Sequence, residues 1–257
     1  MGIKIALAGN PNCGKTTMFN ALTGANQYVG NWPGVTVEKK EGKLKGKRKN
    51  DDIIVTDLPG IYSLSPYTLE EVVSRDYILN DDPDVIIDLV DATNIERNLY
   101  LTTQLIETGV PVVIALNMTD LLEKRGIKID TNRLSMLLDC PIVETSALKQ
   151  TGLDTLIETA IKVANKKEVD LPREIFSKEM EAAVADVKGV LPDTISEDKK
   201  RWYAVKFLEN DSKVVESMNL SAAAKAAVDK DRKELETKHD DDMESMLERR
   251  FQRFSTC

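Results

Sequence analysis

The sequence predicts an α/β domain with a doubly wound, mainly parallel sheet, followed by a small all-α helical bundle. Residues 1–165 hold 12 of the 13 glycines and seven of the nine prolines, so the composition changes beyond them. In this first part short β-branched runs alternate with helical patterns, whereas the second part shows helical patterns alone. We therefore expect two domains, at 1–165 and 166–257, with KKEVDLPRE at 166–174 as the linker.

The strands are predicted from runs that are apolar on both faces, which is typical of strands covered by helices on both sides. These runs are 3–8, 52–57, 84–90, 111–117 and 141–145, and KLKGKRK at 43–49 reads as a turn between strands. Helical patterns lie near 15–23, 68–80, 95–108, 130–138 and 152–165, and in the second part near 174–188, 197–209, 212–218, 221–237 and 240–252. In a sheet of this kind, ligands bind beyond the carboxyl ends of the strands.

Composition excludes several classes of protein. A net charge of −8 disfavours a nucleic-acid partner, because binding to a phosphate backbone usually needs a basic face. Three cysteines in 257 residues cannot form a disulfide framework, which favours a reducing cytoplasm. The sequence shows no signal-peptide pattern, and no apolar run approaches the ~20 residues that span a bilayer. We expect this chain to be soluble by itself.

A phosphate-binding loop follows the first predicted strand. GNPNCGKTT at 9–17 fits G-x-x-x-x-G-K-[ST] with Gly9, Gly14, Lys15 and Thr16. The glycines let backbone N–H groups turn around a phosphate, the new helix adds its positive end, and Lys15 adds a full charge. Thr16 would place its hydroxyl on Mg²⁺. The remaining residues of this predicted phosphate contact are Asn10, Pro11, Asn12, Cys13 and Thr17.

Cys13 has two interpretations. It lies where helix N–H groups could lower a thiol pKa, which would make it a redox-sensitive position. Alternatively, it fills a position that requires a small residue.

Two further motifs end predicted strands. In DLPG at 57–60, Asp57 can hold Mg²⁺ through water, and Gly60, after Leu58 and Pro59, can offer its N–H to a γ-phosphate. In NMTD at 117–120, Asn117 and Met118 precede Asp120, which can accept both the ring N1–H and the exocyclic amine of guanine. Adenine lacks that donor pair, so the motif favours GTP over ATP. After the last strand, the backbone of Ser146, Ala147 and Leu148 could contact the base.

These motifs, in this order and spacing, resemble those of the translation-factor-related GTPases. YVGNWPGVTVE at 28–38, DLPGIYSLSPYTLEE at 57–71 and residues 91–120 further resemble the cytosolic N-terminal domain of the ferrous iron transport protein B family, and the resemblance covers essentially the whole chain. It implies a Ras-like P-loop GTPase fold. It also implies that Thr36, beside Gly34 and Val35, closes on Mg²⁺ and the γ-phosphate in the GTP state.

The same resemblance implies how GTP is hydrolysed. The residue after DLPG is Ile61, whose apolar side chain cannot orient water. Potassium-dependent members of this group imply Asn12 as a K⁺ ligand, completed by the backbone carbonyls of Gly30 and Trp32. Such an ion can neutralise developing charge as an arginine finger does. Arg75 and Arg97 are arginine alternatives, although each also reads as a helix-surface charge. The candidate catalytic residues are Asn12, Lys15, Thr36 and Gly60.

The resemblance implies a Mg²⁺-dependent, K⁺-stimulated GTPase that regulates or drives ferrous iron uptake. The permease would be a membrane-embedded region of the same polypeptide, at the cytoplasmic face of the bacterial inner membrane, and small cytosolic regulators are implied as further partners. A homo-oligomer stays open. Two alternatives also stay open: a nucleotide sensor with negligible turnover, which Ile61 favours, and a free cytosolic GTPase of ribosome assembly.

Glu70 and Glu71 invite a catalytic or metal-relay role, since they follow DLPG closely. However, Thr68-x-x-Glu71 is also a capping box, which satisfies two helix-end donors without any chemistry. One histidine, His239, beside Asp240–Asp242, is a poor metal site, and an exposed charged helix explains that cluster.

Overall fold

A computed structural model describes residues 2–24, 27–48, 51–65, 67–166, 176–218 and 220–239, together with 243 and 246. Its strands are β1 (Ile3–Gly9), β2 (Gln27–Asn31), β3 (Glu38–Lys43), β4 (Ile53–Asp57), β5 (Val85–Asp91), β6 (Val112–Asn117) and β7 (Ile142–Glu144). Its helices are α1 (Lys15–Thr23), α2 (Leu69–Asn80), α3 (Ile95–Glu107), α4 (Thr119–Lys124), α5 (Thr131–Leu138), α6 (Leu153–Ala164), α7 (Lys178–Val190), α8 (Glu197–Leu208), α9 (Ser212–Ser217) and α10 (Ala222–His239).

The sheet has the order β2-β3-β4-β1-β5-β6-β7 in the described residues. The five strands predicted from apolar runs form its parallel part, in which β1 pairs with both β4 and β5. The expected fold class and these strands are therefore confirmed. The hairpin of β2 and β3 is antiparallel and was not predicted. The turn predicted at 43–49 does separate β3 from β4.

The core explains why the parallel strands are apolar throughout. One face of the sheet buries alternate strand residues, including Leu7 and Ile87, against α1 and α6, and Phe19 of α1 belongs to the same cluster. The other face is also covered, since Ile86 and Val90 are fully buried as well. Because β1, β4, β5 and β6 run in parallel, their carboxyl ends gather at one edge, where Gly9, Asp57 and Asn117 end their strands.

The chain divides into two compact units. Met1–Ile106 with Val110–Glu168 form the first, and Val169–Thr256 with Glu107–Gly109 belong to the second. The predicted boundary at 165/166 stays a prediction, because the division falls in the segment 167–175, outside the described residues, as does most of the predicted linker.

The second unit contains only helices among its described residues, as expected. Helices α7 and α8 pack through apolar residues such as Val184 and Trp202, which are 1% exposed. An ion pair between Glu181 and Arg201 joins the same two helices, with an O–N distance of 2.6 Å. The helix predicted at 240–252 lies outside the described residues apart from 243 and 246. In the described part of the chain, no helix is both long and apolar enough to span a bilayer.

Candidate functional site

The loop between β1 and α1 has a backbone that depends on its residue types. Asn12 has φ 66° and Gly14 has φ 93°, both in the left-handed region. A Cβ on Gly14 would lie 2.6 Å from the Asn117 side-chain nitrogen, so that position also requires glycine for space. Because Gly14 is the N-cap of α1 and has no capping side chain, the first N–H groups of the helix are available to an anion.

Lys15 and Asp57 form an ion pair at the carboxyl edge of the sheet. The Lys15 side chain is 11% exposed and the Asp57 side chain 7%. Burial raises the pKa of the Asp57 carboxyl, and the neighbouring Lys15 ammonium opposes that rise. The two groups that the sequence assigns to phosphate and to Mg²⁺ therefore lie in direct contact.

Asn117 connects two loops of the site to the end of β6. Its side-chain amide donates a hydrogen bond to the Cys13 carbonyl (2.9 Å) and accepts one from the Ala147 N–H (3.0 Å). The residue is 2% exposed, so both bonds are sheltered from water. The loop after β1 and the loop after β7 are thus held to the end of β6.

Asp120 lies just beyond Asn117, at the start of α4. Its carboxylate pairs with the Lys149 ammonium at 3.2 Å, and this hydrogen bond lowers the pKa of Asp120. Ser146 and Ala147 are buried, whereas Leu148 is exposed. Met118 turns the chain between Asn117 and α4 with φ 63°.

The segment after Asp57 contacts the phosphate loop. Gly60 lies against Pro11, since a Cβ there would come 3.3 Å from the Pro11 Cα. The Ile61 N–H donates to the Gly9 carbonyl at 3.3 Å, and the Ile61 side chain is 3% exposed. An apolar side chain buried in this way cannot orient a water molecule.

The capping box at the start of α2 is confirmed. The Thr68 hydroxyl accepts from the Glu71 N–H (3.2 Å), and the Glu71 carboxylate accepts from the Thr68 N–H (3.1 Å). The second Glu71 oxygen accepts from the Ser63 hydroxyl at 3.0 Å. Hydrogen bonds thus occupy both oxygens of Glu71, which favours the structural interpretation of this residue.

Residues 27–43 form the β2–β3 hairpin, which contains the predicted K⁺ carbonyls. Gly30 lies within β2, opposite Lys39. The Trp32 carbonyl accepts from the Val35 N–H at 3.2 Å, and the Trp32 ring packs edge-on against Tyr77 with centroids 5.3 Å apart. Thr36 follows at the exposed tip of the hairpin.

Two sequence interpretations change in the structure. Cys13 is 1% exposed, and burial, reinforced by Asp88, raises the pKa of its thiol to about 12. The redox interpretation is therefore wrong, because a reactive thiol needs exposure and a lowered pKa. Arg75 is 5% exposed, so its interpretation as a surface charge is also wrong. Arg97 is exposed, as expected, and its guanidinium lies 4.1 Å above the Tyr62 ring.

Sequence reasoning missed Lys149, Asp88 and Gln104. Asp88 could have been found, because it lies in the middle of the apolar strand DVIIDLV, where a buried carboxylate is costly without a hydrogen-bond partner. No sequence pattern indicates the partners of Lys149 or Gln104, since each contact joins residues that are distant in the chain.

The fold and the site define a Ras-like P-loop nucleotide-binding domain followed by a helical domain. Known families agree with this class: "Ferrous iron transport protein B" matches residues 3–160, and "FeoB cytosolic helical domain" matches 176–256. The chain belongs to the ferrous iron transport protein B family.

Named relatives support this assignment. The Fe(2+) transporter FeoB of Shigella flexneri is 41% identical over 213 residues, which is 81% of this chain and 27% of the relative. This chain thus spans about a quarter of the curated relatives it matches. Among solved structures, a single-site mutant of S. thermophilus NFeoB bound to GDP has 46% identity and a TM-score of 0.94, covering 100% of this chain and 99% of that one. NFeoB from S. thermophilus bound to GDP.AlF4- and K+ has 45% identity and a TM-score of 0.88, covering 99% and 100%.

Proposed function

We propose that this chain binds GTP and hydrolyses it to GDP and phosphate, with Mg²⁺ and with stimulation by K⁺. The observation that carries the proposal is the convergence of the phosphate loop, Asp57 and Asn117 at one edge of the sheet. Asn117 bonds the Cys13 carbonyl of the loop, and Lys15 of the loop pairs with Asp57. Similar NFeoB proteins bound to GDP, and to GDP.AlF4- with K+, support the ligand class.

The charge at the site supports phosphate binding. Lys15 would leave Asp57 for the β- and γ-phosphates, because a phosphate chain carries more charge than one carboxylate. Gly60, beside Pro11, would offer its N–H to the γ-phosphate. Asp120 would bind the guanine donors in place of Lys149, and Ser146 and Ala147 would enclose the base.

Thr16, Thr36 and Asp57 would hold Mg²⁺. One carboxylate and two hydroxyls are the hard oxygen donors that this ion prefers, and release of Asp57 from Lys15 leaves the carboxylate free for it. When bound, Mg²⁺ neutralises charge on the outer phosphates. The protein's own contribution is to orient the three oxygens.

Asn12 and the carbonyls of Gly30 and Trp32 would hold K⁺. The donor set fits, because all three are neutral oxygens and Asn12 is exposed on its left-handed turn. The Trp32 carbonyl already accepts from Val35, so an ion would use its second lone pair. When bound, K⁺ neutralises charge that develops between the phosphates. The ion would thus assist hydrolysis by stabilising charge, although the apolar Ile61 side chain cannot orient the attacking water.

We further propose that the nucleotide state controls ferrous iron uptake through a membrane-embedded permease of the same polypeptide, at the cytoplasmic face of the bacterial inner membrane. Support comes from the family, whose relatives named Fe(2+) transporter are much longer than this chain. The helical domain would transmit the nucleotide state to the permease.

The test is GTP hydrolysis by the purified chain with Mg²⁺ in matched KCl and NaCl, for the wild type, Asn12→Ala and the control Asn165→Ala. Asn165 ends α6, where its side chain bonds the Ile161 carbonyl of its own helix. We expect stimulation by K⁺ in the wild type and the control, and loss of stimulation in Asn12→Ala. Equal rates in both salts would refute the K⁺ site and favour the sensor that the buried Ile61 suggests.

A further inference from the structure

Helix α3 presents two side chains to the segment that follows Asp57. Arg97 and Gln104 are seven residues apart, which places them two turns apart on one helix face. The Arg97 guanidinium lies 4.1 Å above the Tyr62 ring, and the Gln104 Oε1 accepts a hydrogen bond from the Leu64 N–H at 2.6 Å. The segment 61–65 therefore meets α3 at two points.

The contact of Gln104 is buried on both sides. Gln104 is 2% exposed and Leu64 is fully buried, so water cannot replace the amide oxygen as the acceptor for the Leu64 N–H. A buried backbone donor without an acceptor is costly, and the segment would have to move to find another one. Gln104 thus supplies the buried acceptor that holds the backbone at Leu64, four residues beyond Gly60, beside the bond of Ser63 to Glu71.

The other end of the segment is fixed to the phosphate loop. The Ile61 N–H donates to the Gly9 carbonyl at 3.3 Å, which is a long hydrogen bond, and Gly60 rests against Pro11. The Asn10 side chain donates to the Arg97 carbonyl at 3.4 Å, so α3 itself contacts the same loop. The long Ile61 bond and the shorter Gln104 bond therefore hold the segment that follows Gly60 at its two ends.

We propose that Gln104 is a positioning residue for GTP hydrolysis. By holding the Leu64 N–H, it keeps the Gly60 N–H directed at the γ-phosphate without touching the nucleotide. The inference rests on the proposed GTPase function and deepens it. Since GDP has no γ-phosphate, the role of Gln104 concerns hydrolysis and leaves GDP binding unchanged.

The experiment compares the wild type with Gln104→Met, which keeps the length but removes the acceptor, and with Gln104→Glu, which restores an acceptor oxygen. Thr103→Val is the matched control, because it removes a buried hydroxyl of the same helix that bonds the Tyr100 carbonyl within that helix. Single-turnover GTP hydrolysis, the dissociation constant of fluorescent GDP and the melting temperature are measured for each. Amide exchange at Leu64, followed by NMR, reports the hydrogen bond directly.

We expect Gln104→Met to slow hydrolysis about three- to tenfold, the factor that one hydrogen bond typically contributes. GDP affinity should stay unchanged, Leu64 exchange should accelerate, and Gln104→Glu should recover both exchange and rate. An unchanged rate in Gln104→Met, or a rate that falls together with GDP affinity, would overturn the inference. If Gln104→Glu does not fold, accelerated Leu64 exchange with an unchanged rate in Gln104→Met is equally decisive against it. A wild type that binds no GTP or does not hydrolyse it would refute the proposed function itself.

Discussion

Asp88 lies in the middle of β5 and makes the stability of the first unit depend on pH. It is 1% exposed, and its carboxylate accepts a hydrogen bond from the Thr102 hydroxyl at 2.6 Å. Burial raises the pKa of Asp88 to about 7, and the Thr102 bond opposes this only in part. The folded protein therefore retains a proton on Asp88 at pH values where the unfolded chain has lost it.

This difference in bound protons means that the unfolding free energy decreases as the pH rises. The stabilisation is complete below the unfolded pKa of 3.8 and is lost as the pH rises to about 7, because the unfolded state is favoured by ionisation. A shift of about three pKa units, at 1.36 kcal/mol each, lowers the unfolding free energy by about 4 kcal/mol at most. About 2.5 kcal/mol of this change falls between about pH 5 and pH 7.

The perturbation is Asp88→Asn, which keeps the shape and an acceptor for Thr102 but cannot ionise. Urea unfolding is followed at pH 5 and pH 8 in a Trp202→Phe background, so that Trp32 is the only tryptophan and reports on the first unit. The unfolding free energy of Asp88→Asn minus that of the parent protein should be larger at pH 8 than at pH 5 by up to about 2.5 kcal/mol. The exposed control Asp154→Asn should show no such growth. A difference in unfolding free energy that is the same at both pH values would refute the reasoning.

Two further predictions concern the base side of the site. Asn117→Ala removes two buried hydrogen bonds and leaves their partners unsatisfied, which should lower the unfolding free energy by about 2–4 kcal/mol and weaken GDP binding at least tenfold. Urea unfolding and a titration with fluorescent GDP measure these effects, and an unchanged GDP affinity would contradict the role. Lys149→Met frees Asp120 from a competing cation, so GDP affinity should rise by about fivefold at most at low salt and equal that of the wild type at 1 M salt. Weaker binding in the same titration would show instead that Lys149 assists the base.

The sequence predicts the parallel strands well because their residues carry the signal locally. In VVIALN, the first five residues are apolar on both faces, and the short length and β-branched residues of the run are typical of a strand buried on both sides. By contrast, β3 reads EKKEGK, which has no apolar alternation, and forms because β4 offers it a free edge. Pairing of this kind is set by the rest of the sheet, and propensity cannot reveal it.

The same distinction applies to the site. Short motifs place Gly14, Asp57 and Asn117 at the correct edge because each motif follows a predictable strand. The partners of the polar groups could not be predicted in this way, because they are distant in the chain. Lys149 pairs with Asp120, 29 positions away, and Gln104 bonds Leu64, 40 positions away. Arg75 shows the limit most clearly, since a charged residue in a helical pattern was expected at the surface and is buried.

Besides the ion pairs of Lys15 with Asp57 and of Lys149 with Asp120, three neutral amides join segments of the site. Asn10 joins the phosphate loop to α3, Asn117 joins it to the loop after β7, and Gln104 joins α3 to the segment after Asp57. An amide carries a donor and an acceptor on one short group, so it can link two backbones at once. A carboxylate at Asn117 would still accept from Ala147, but it would repel the Cys13 carbonyl and any bound phosphate. Neutral links therefore hold the loops in place while leaving Lys15 as the charge that a polyanionic ligand meets.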